Sequence, residues 1–300
     1  MLGYVTGVYD ILRIKDLQKL DMIIQKNIEK GNKYFAIALY DEELCEALGI
    51  SEPLKSIEDR IKIVEQLSGV DFAFKISSLD KEIIQDSAQE ALKTYEEKQK
   101  IKKEQNKQYD IVYAPGTYDL FHAGHLENLL EASQKSKRLI VGVKADELVY
   151  EHKGRKPMMT AEERMEILRH FKFVDNVYQY FTRDPHTAAS WIKAKYHKDV
   201  DAIFLGSDLK EDFKNIKDIP LVFTERDEKN MVNKSTSGYI KKLKLRTLSE
   251  DTKYKGNIKI SPVEKEKFTE KNNQIENLNE RKIINVVLKM VPHSQNDIFL

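Results

Sequence analysis

At 300 residues, with 41% of them hydrophobic, the chain is long enough for two domains of ordinary size and can bury a core in each. Its charged residues, 33% of the total, balance to a net charge of +1, which argues against an electrostatically driven nucleic-acid or membrane-surface binder. The single cysteine, Cys45, excludes an intrachain disulfide and is expected to be a small buried hydrophobe. The N-terminus has no signal-peptide pattern and no apolar run approaches bilayer length, so a cytoplasmic chain without stable membrane insertion is expected.

Read from the start, the chain repeats itself. Gly7-Val8-Tyr9-Asp10 returns as Gly116-Thr117-Tyr118-Asp119, an offset of 109. Further on, Ala38–Asp71 aligns without a gap on Gly142–Asp175, an offset of 104. Glu43, Leu44, Pro53, Glu58, Arg60, Ile63, Val70 and Asp71 there match Glu147, Leu148, Pro157, Glu162, Arg164, Ile167, Val174 and Asp175. A period near one hundred residues implies a duplicated domain rather than a solenoid. The first copy is expected over residues 1–86 and stops early, after the strand-like Val70–Lys75 and a helical pattern from Lys81 to Lys93. A charged helical linker is expected over 87–108, its Glu96–Gln108 part having no face to bury. The linker's basic residues alternate with acids and lack aromatics, which again argues against nucleic acid.

The second copy, expected over 109–245, is complete. Tyr109–Ala114 reads as a strand, Leu126–Ser133 as a helix and Arg138–Val143 as a buried parallel strand. Thr160 with Glu163 three residues later marks a capping box before a helix whose Met165, Ile167, Leu168 and Phe171 suit a packed face. Then follow strand Asn176–Tyr180, a helix near Thr187–Tyr196, strand Ala202–Leu205 and strand Leu221–Thr224. Strand–helix alternation throughout predicts an α/β fold with a doubly wound parallel sheet. Residues 246–300 form an extension of unknown role, with a solvated run Glu264–Lys271 and an apolar patch Ile283–Val291.

Between the first strand and helix of that copy lies Gly116-Thr117-Tyr118-Asp119-Leu120-Phe121-His122-Ala123-Gly124-His125. A strand, a tight glycine turn and a helix start together place an anion at the helix N-terminus. His122 and His125, three apart, are expected on one face of the helix's first turn, with Gly124 leaving room for a phosphate chain. This is read as a triphosphate site. The stretch resembles the H-x-G-H signature of the nucleotidyltransferase superfamily, in its cytidylyltransferase-like branch.

That resemblance implies a Rossmann-like nucleotidyltransferase fold and a transfer of CMP from CTP, with Mg²⁺, to a small phosphomonoester alcohol, giving a CDP-alcohol and pyrophosphate. It implies catalytic roles for His122, His125, Lys153 and Arg226, and nucleotide binding by Gly116, Thr117, Tyr118, Gly124, Gly206, Asp208, Ser235, Thr236 and Ser237. Ser235-Thr236-Ser237 with Arg226 is similar to the family's phosphate-closing segment, although Asp227–Lys234 separates them further than the family pattern does. Lys156 is placed on the substrate side, with Arg155 as an alternative, and so is Asp119, which also suits ordering the turn. Arg164 has a counterpart in Arg60, so a structural ion pair stands beside a ligand contact. No protein metal site is expected, since His152, His170, His186, His197 and His293 show no ligand spacing.

In the first copy Arg13, Lys15 and Asp16 stand where His122, Gly124 and His125 do, and Gly49 and Glu52 replace Lys153 and Lys156. That copy reads as a non-catalytic pseudo-domain, expected to form a pseudo-dimer with the second copy inside one chain, with further oligomerisation left open. Phe204–Phe213 looks like bacterial glycerol-3-phosphate cytidylyltransferases, which makes glycerol 3-phosphate the expected substrate and CDP-glycerol the product. Choline- or ethanolamine-phosphate cytidylyltransferase, or an adenylyltransferase of the superfamily, are alternative readings. A non-catalytic nucleotide-binding protein is the reading from a different class.

Overall fold

The computed structural model describes residues 1–101, 107–206, 216–224 and 236–243. The chain opens with β1 (Leu2–Gly7), α1 (Ile14–Glu29), β2 (Tyr34–Tyr40), α2 (Glu42–Ala47), α3 (Ile57–Val64), β3 (Phe72–Ile76) and α4 (Lys81–Ile101). It continues with β4 (Tyr109–Gly116), α5 (Ala123–Lys135), β5 (Ser136–Lys144), α6 (Asp146–Lys153) and α7 (Ala161–Arg169). β6 (Asn176–Tyr180), α8 (Pro185–Tyr196), β7 (Ala202–Gly206) and β8 (Leu221–Thr224) follow, then α9, a helix over 236–243.

Strands β1-β2-β3 form one parallel sheet and β6-β5-β4-β7-β8 a second. In the larger sheet the chain moves outward from β4 to β5 and β6, then returns to the other side of β4 for β7 and β8. This reversal makes the carboxyl end of β4 a topological switch point, where such sheets bind ligands. Strand β5 carries the run Leu139–Val143 buried on both faces, the pattern of a parallel strand covered by helices.

The same bonds recur in both halves at the offsets of the sequence repeat. Asp10 accepts the backbone N–H groups of Leu54 and Lys55 (2.8 and 2.9 Å), and Asp119 those of Met158 and Met159 (2.9 and 3.0 Å). Arg60 donates to the carbonyls of Lys55, Val8 and Tyr40 and pairs with Glu42. Arg164 donates to those of Met159, Thr117 and Lys144 and pairs with Asp146. Both guanidinium side chains are wholly buried, which decides the question left open by the sequence: Arg164 is a strut of the fold.

The halves meet as a two-fold contact would. Leu67 and Phe171, which stand at matching positions, form an antiparallel bridge with each other. Ser68 N–H donates to His170 O (2.7 Å) and Lys172 N–H to Gln66 O (3.0 Å). Helix α1 packs on α7, and α3 on α5. A single hydrophobic cluster runs through the contact, including Leu17, Leu20, Ile57 and Ile63 of the first half and Phe121, Leu126, Met165 and Phe171 of the second.

The boundary placed between residues 86 and 87 falls inside α4, which runs unbroken from Lys81 to Ile101. Along the helical pattern expected from Lys81, Ile84 and Ala88 join the core of the first sheet and Tyr95 packs on Phe72, while in the solvated stretch Glu96 accepts from Tyr34 Oη (2.9 Å). Lys98, Gln99 and Lys100 are solvated as expected. Cys45 is buried, and burial pushes its thiol pKa up. The extension 246–300 lies outside the described residues.

Replacing Arg164 with Met should strand three buried carbonyls and the Asp146 carboxylate, lowering stability by about 3–5 kcal/mol. Urea denaturation of the full chain measures this, and Arg60→Met should cost a similar amount.

Candidate functional site

The site begins where β4 ends. Tyr118 (φ 56°) and Leu120 (φ 49°) both adopt the left-handed region, a cost of about 1–3 kcal/mol each for non-glycine residues that persists only under strong constraint. The constraints are visible. Tyr118 Oη donates to Ala114 O (3.1 Å) and its ring lies against Gly116, where a Cβ would come within 2.7 Å of it. Asp119 holds the 158–159 backbone from the next loop. Thr117 contributes its carbonyl to Arg164.

His122 is the N-cap of α5 in extended conformation (φ −139°), so it precedes the helix rather than sharing its first turn, as the sequence spacing had implied. The two rings nonetheless stack, with centroids 3.7 Å apart and planes 20° from parallel. Tyr118 meets the His125 ring edge-on at 5.2 Å, and Phe121 flanks it at 5.7 Å while resting on Phe171. His122 makes no side-chain capping bond. A helix start without such a cap presents backbone N–H groups and positive dipole to an anion. At Gly124 a Cβ would come 3.4 Å from the His122 ring, so its absence keeps the approach to the imidazoles open.

Helix α9 comes back over this turn. Thr236 Oγ1 donates to Asp119 O (2.8 Å), and Ser237 lies exposed beside it in the first turn of the helix. Gly206 ends β7, paired with Thr224 of β8. Lys153 is exposed at the last turn of α6, ahead of the left-handed Gly154 (φ 65°). Asp208, Arg226 and Ser235 lie outside the described residues.

On the substrate side the structure separates the two residues proposed from sequence. Asp119 is 2% exposed and both carboxylate oxygens accept backbone N–H groups, so in this structure it orders the turn. Burial raises its pKa, opposed by the Met158 and Met159 amides and by the charges of Arg164 and Arg155. Lys156 is exposed, and Arg155 is the loop cation whose field reaches Asp119.

Three features were not anticipated. Tyr239 of α9, 1% exposed, lies 6.0 Å from the His122 ring. Thr224 Oγ1 donates to Asn128 Oδ1 (3.0 Å), tying α5 to β8; only two apolar-looking neighbourhoods in the sequence surround these residues. Lys144, the last residue of β5, is buried one step past the Gly116–Val143 pair. A helix signal at 236–243 with aromatic and apolar residues four apart, Tyr239 and Leu243, could have pointed to the first. Among the described residues no cluster of His, Cys, Asp or Glu could hold a metal ion, and no helix is long and apolar enough to cross a membrane.

A doubly wound sheet with stacked imidazoles at a helix N-terminus, beside the switch-point strand, is a nucleotide-binding arrangement of the α/β class. A family model described as cytidylyltransferase-like matches residues 113–279, and the chain belongs to that family. The match runs past residue 245, where the sequence reading had ended the resemblance. The chain is 39% identical over 92 residues to FAD synthase of Thermococcus onnurineus, covering 31% of this chain and 59% of that protein. To FAD synthase of Pyrococcus abyssi it is 36% identical over 107 residues, 36% of this chain and 69% of that protein. It is 38% identical over 112 residues to choline-phosphate cytidylyltransferase A of Mus musculus, 36% of this chain and 30% of that protein.

Asp119→Asn should replace one of the two carboxylate acceptors with an NH₂ group facing a backbone N–H, costing about 1–3 kcal/mol. Thermal unfolding measures the loss.

Proposed function

We propose that the second half transfers a nucleotidyl group, most simply CMP from CTP, to a phosphorylated alcohol, releasing pyrophosphate. The observation that carries this reading is the His122–His125 stack at the start of α5, set at the carboxyl end of β4. A phosphomonoester, with a second pKa of about 6, is already largely the dianionic nucleophile at neutral pH, so no general base is required. Its oxygen attacks the α-phosphorus, and the bond to the departing pyrophosphate breaks. What the protein must do is gather polyanions and stabilise charge on the leaving group. The imidazoles and the α5 N-terminus suit the phosphates, with Thr236 and Ser237 of α9 beside them and Arg226, Lys153 and Arg155 as cations. Magnesium is read as accompanying the triphosphate, whose hard oxygens suit it.

Glycerol 3-phosphate is the proposed acceptor, on the Phe204–Phe213 resemblance. A second reading, adenylyl transfer to a flavin phosphate, is favoured by the similarity to archaeal FAD synthases. The first half is read as a duplicate that no longer turns over. Where the second half stacks its histidines, Arg13 and Asp16 satisfy each other at 2.7 and 3.0 Å. The bridge at Leu67 and Phe171 supports its role as a built-in dimer partner.

Pyrophosphate release is to be measured with Mg²⁺ and CTP or ATP, each paired with glycerol 3-phosphate, phosphocholine, phosphoethanolamine or flavin mononucleotide. Release with CTP and one alcohol phosphate, reduced about 10²–10³-fold in His125→Ala, is the expected result. Release only with ATP and the flavin selects the second reading. Nucleotide binding without release in any pair makes the chain a non-catalytic nucleotide binder.

A further inference from the structure

Helix α9 rests on the half of the chain that lacks the histidines. Lys55 Nζ lies 5.3 Å from the Tyr239 ring centroid, and Lys242 Nζ reaches Leu54 O at 3.5 Å. Lys55 is itself 3% exposed, donating to Asp10 O, with the Asp10 carboxylate 4.0 Å away. At its N-terminal end the same helix places Thr236 on Asp119, and its Tyr239 ring stands 6.0 Å from His122. A chain of three side chains thus runs from the first half to the catalytic turn: Lys55, Tyr239, His122.

Lys55 is not part of the scaffold shared by the two halves. The matching position in the second half is Met159, which takes the same backbone bonds to its own aspartate and arginine without a charge. A buried ammonium is costly, and burial indeed lowers the pKa of Lys55 against the pull of Asp10. Burial, and after it the charges of Asp59 and Asp10, raises the Tyr239 phenol pKa. A cation over a desolvated tyrosine face is an attractive and directional contact.

We propose that the first half positions α9 over the triphosphate site through the Lys55–Tyr239 contact, making Lys55 and Tyr239 positioning residues for nucleotide binding. Their effect is on where Thr236, Ser237 and the His122 ring sit, and neither residue touches the reacting atoms. The inference rests on the nucleotidyl-transfer reading of the second half and assigns the first half a part in it. Small displacements of positioning groups cost affinity and rate out of proportion to their energy.

The test uses the full chain. Lys55→Met, which restores the residue found at the matching position, and Tyr239→Leu are compared with wild type for the Kd of Mg·CTP and Mg·ATP by calorimetry. KM and kcat are taken from pyrophosphate release, and melting temperature is followed throughout. For the nucleotide the wild type binds, Kd and KM are expected to rise about 10-fold or more in Lys55→Met, with kcat changed less. Thr236→Ala should add little in that background, although it weakens binding on its own. Ile76→Val, in β3 of the first half, should lower the melting temperature and leave Kd unchanged, separating positioning from simple stability.

The proposal is overturned if Lys55→Met and Tyr239→Leu bind as wild type does, or if the Thr236→Ala effect is fully additive with Lys55→Met. A wild-type chain that binds neither triphosphate overturns the catalytic reading as well. Unchanged variants of an active wild type overturn this inference alone.

Discussion

A buried charged group organises the second half. The Arg164 guanidinium is fully buried, and a buried charge is tolerated only when its donors are met. They are met by the carbonyls of Thr117, Lys144 and Met159 and by the Asp146 carboxylate. Those groups belong to the turn after β4, the end of β5, the loop before α7 and the start of α6. One side chain therefore ties together the loops at the ligand-binding edge of the sheet. Asp119 acts in the opposite sense from within the turn, a buried anion held by the amides of Met158 and Met159. Between the two, the turn that leads into His122 is held from both sides by buried charged groups.

The first half repeats the frame with different residues at the turn. Arg60 and Asp10 make the matching bonds, and Tyr9 adopts the same left-handed conformation (φ 49°) as Tyr118. At the end of that turn an arginine–aspartate pair stands in place of the two imidazoles. Among the described residues its sheet has three strands against five. A unit that small buries a modest share of its surface by itself. Its Leu17, Leu20, Ile57 and Ile63 instead complete one hydrophobic cluster with the second half. The contact is self-complementary in the way of a two-fold dimer, with each helix pair answered by its counterpart. With both halves in one chain, this contact forms within a single molecule.

Local patterns were legible where they were self-contained. The capping box of Thr160 and Glu163 forms as its spacing implies, and the strands fall within two residues of the alternating and continuous apolar runs that marked them. The strand–turn–helix placement of His122 and His125 followed from glycine and helix-start signals. What their spacing could not give was the N-cap conformation of His122, because a three-residue separation is compatible with a helical turn and with a cap. Ring stacking at 3.7 Å depends on Tyr118 and Phe121 pressing from the side, and those contacts come from an improbable left-handed backbone. The fate of Glu96 was misjudged for a similar reason: a charged stretch reads as solvated until Tyr34, 62 residues away, supplies a partner.

The sequence by itself determined the parallel α/β alternation, the repeat at offsets of 109 and 104, and the position of the turn that carries His122 and His125. Those properties are written in local periodicity and in matched residues, which act over a few neighbours or can be compared directly. Tertiary structure decided which matched residues are struts, that Asp119 faces the backbone, and that Tyr239 joins the first half to the site. Such roles depend on burial and on partners far apart in the chain, for example Thr236 on Asp119 and Lys55 beneath Tyr239. A lysine and a tyrosine separated by most of the chain carry no mark of their meeting until the fold removes the water between them.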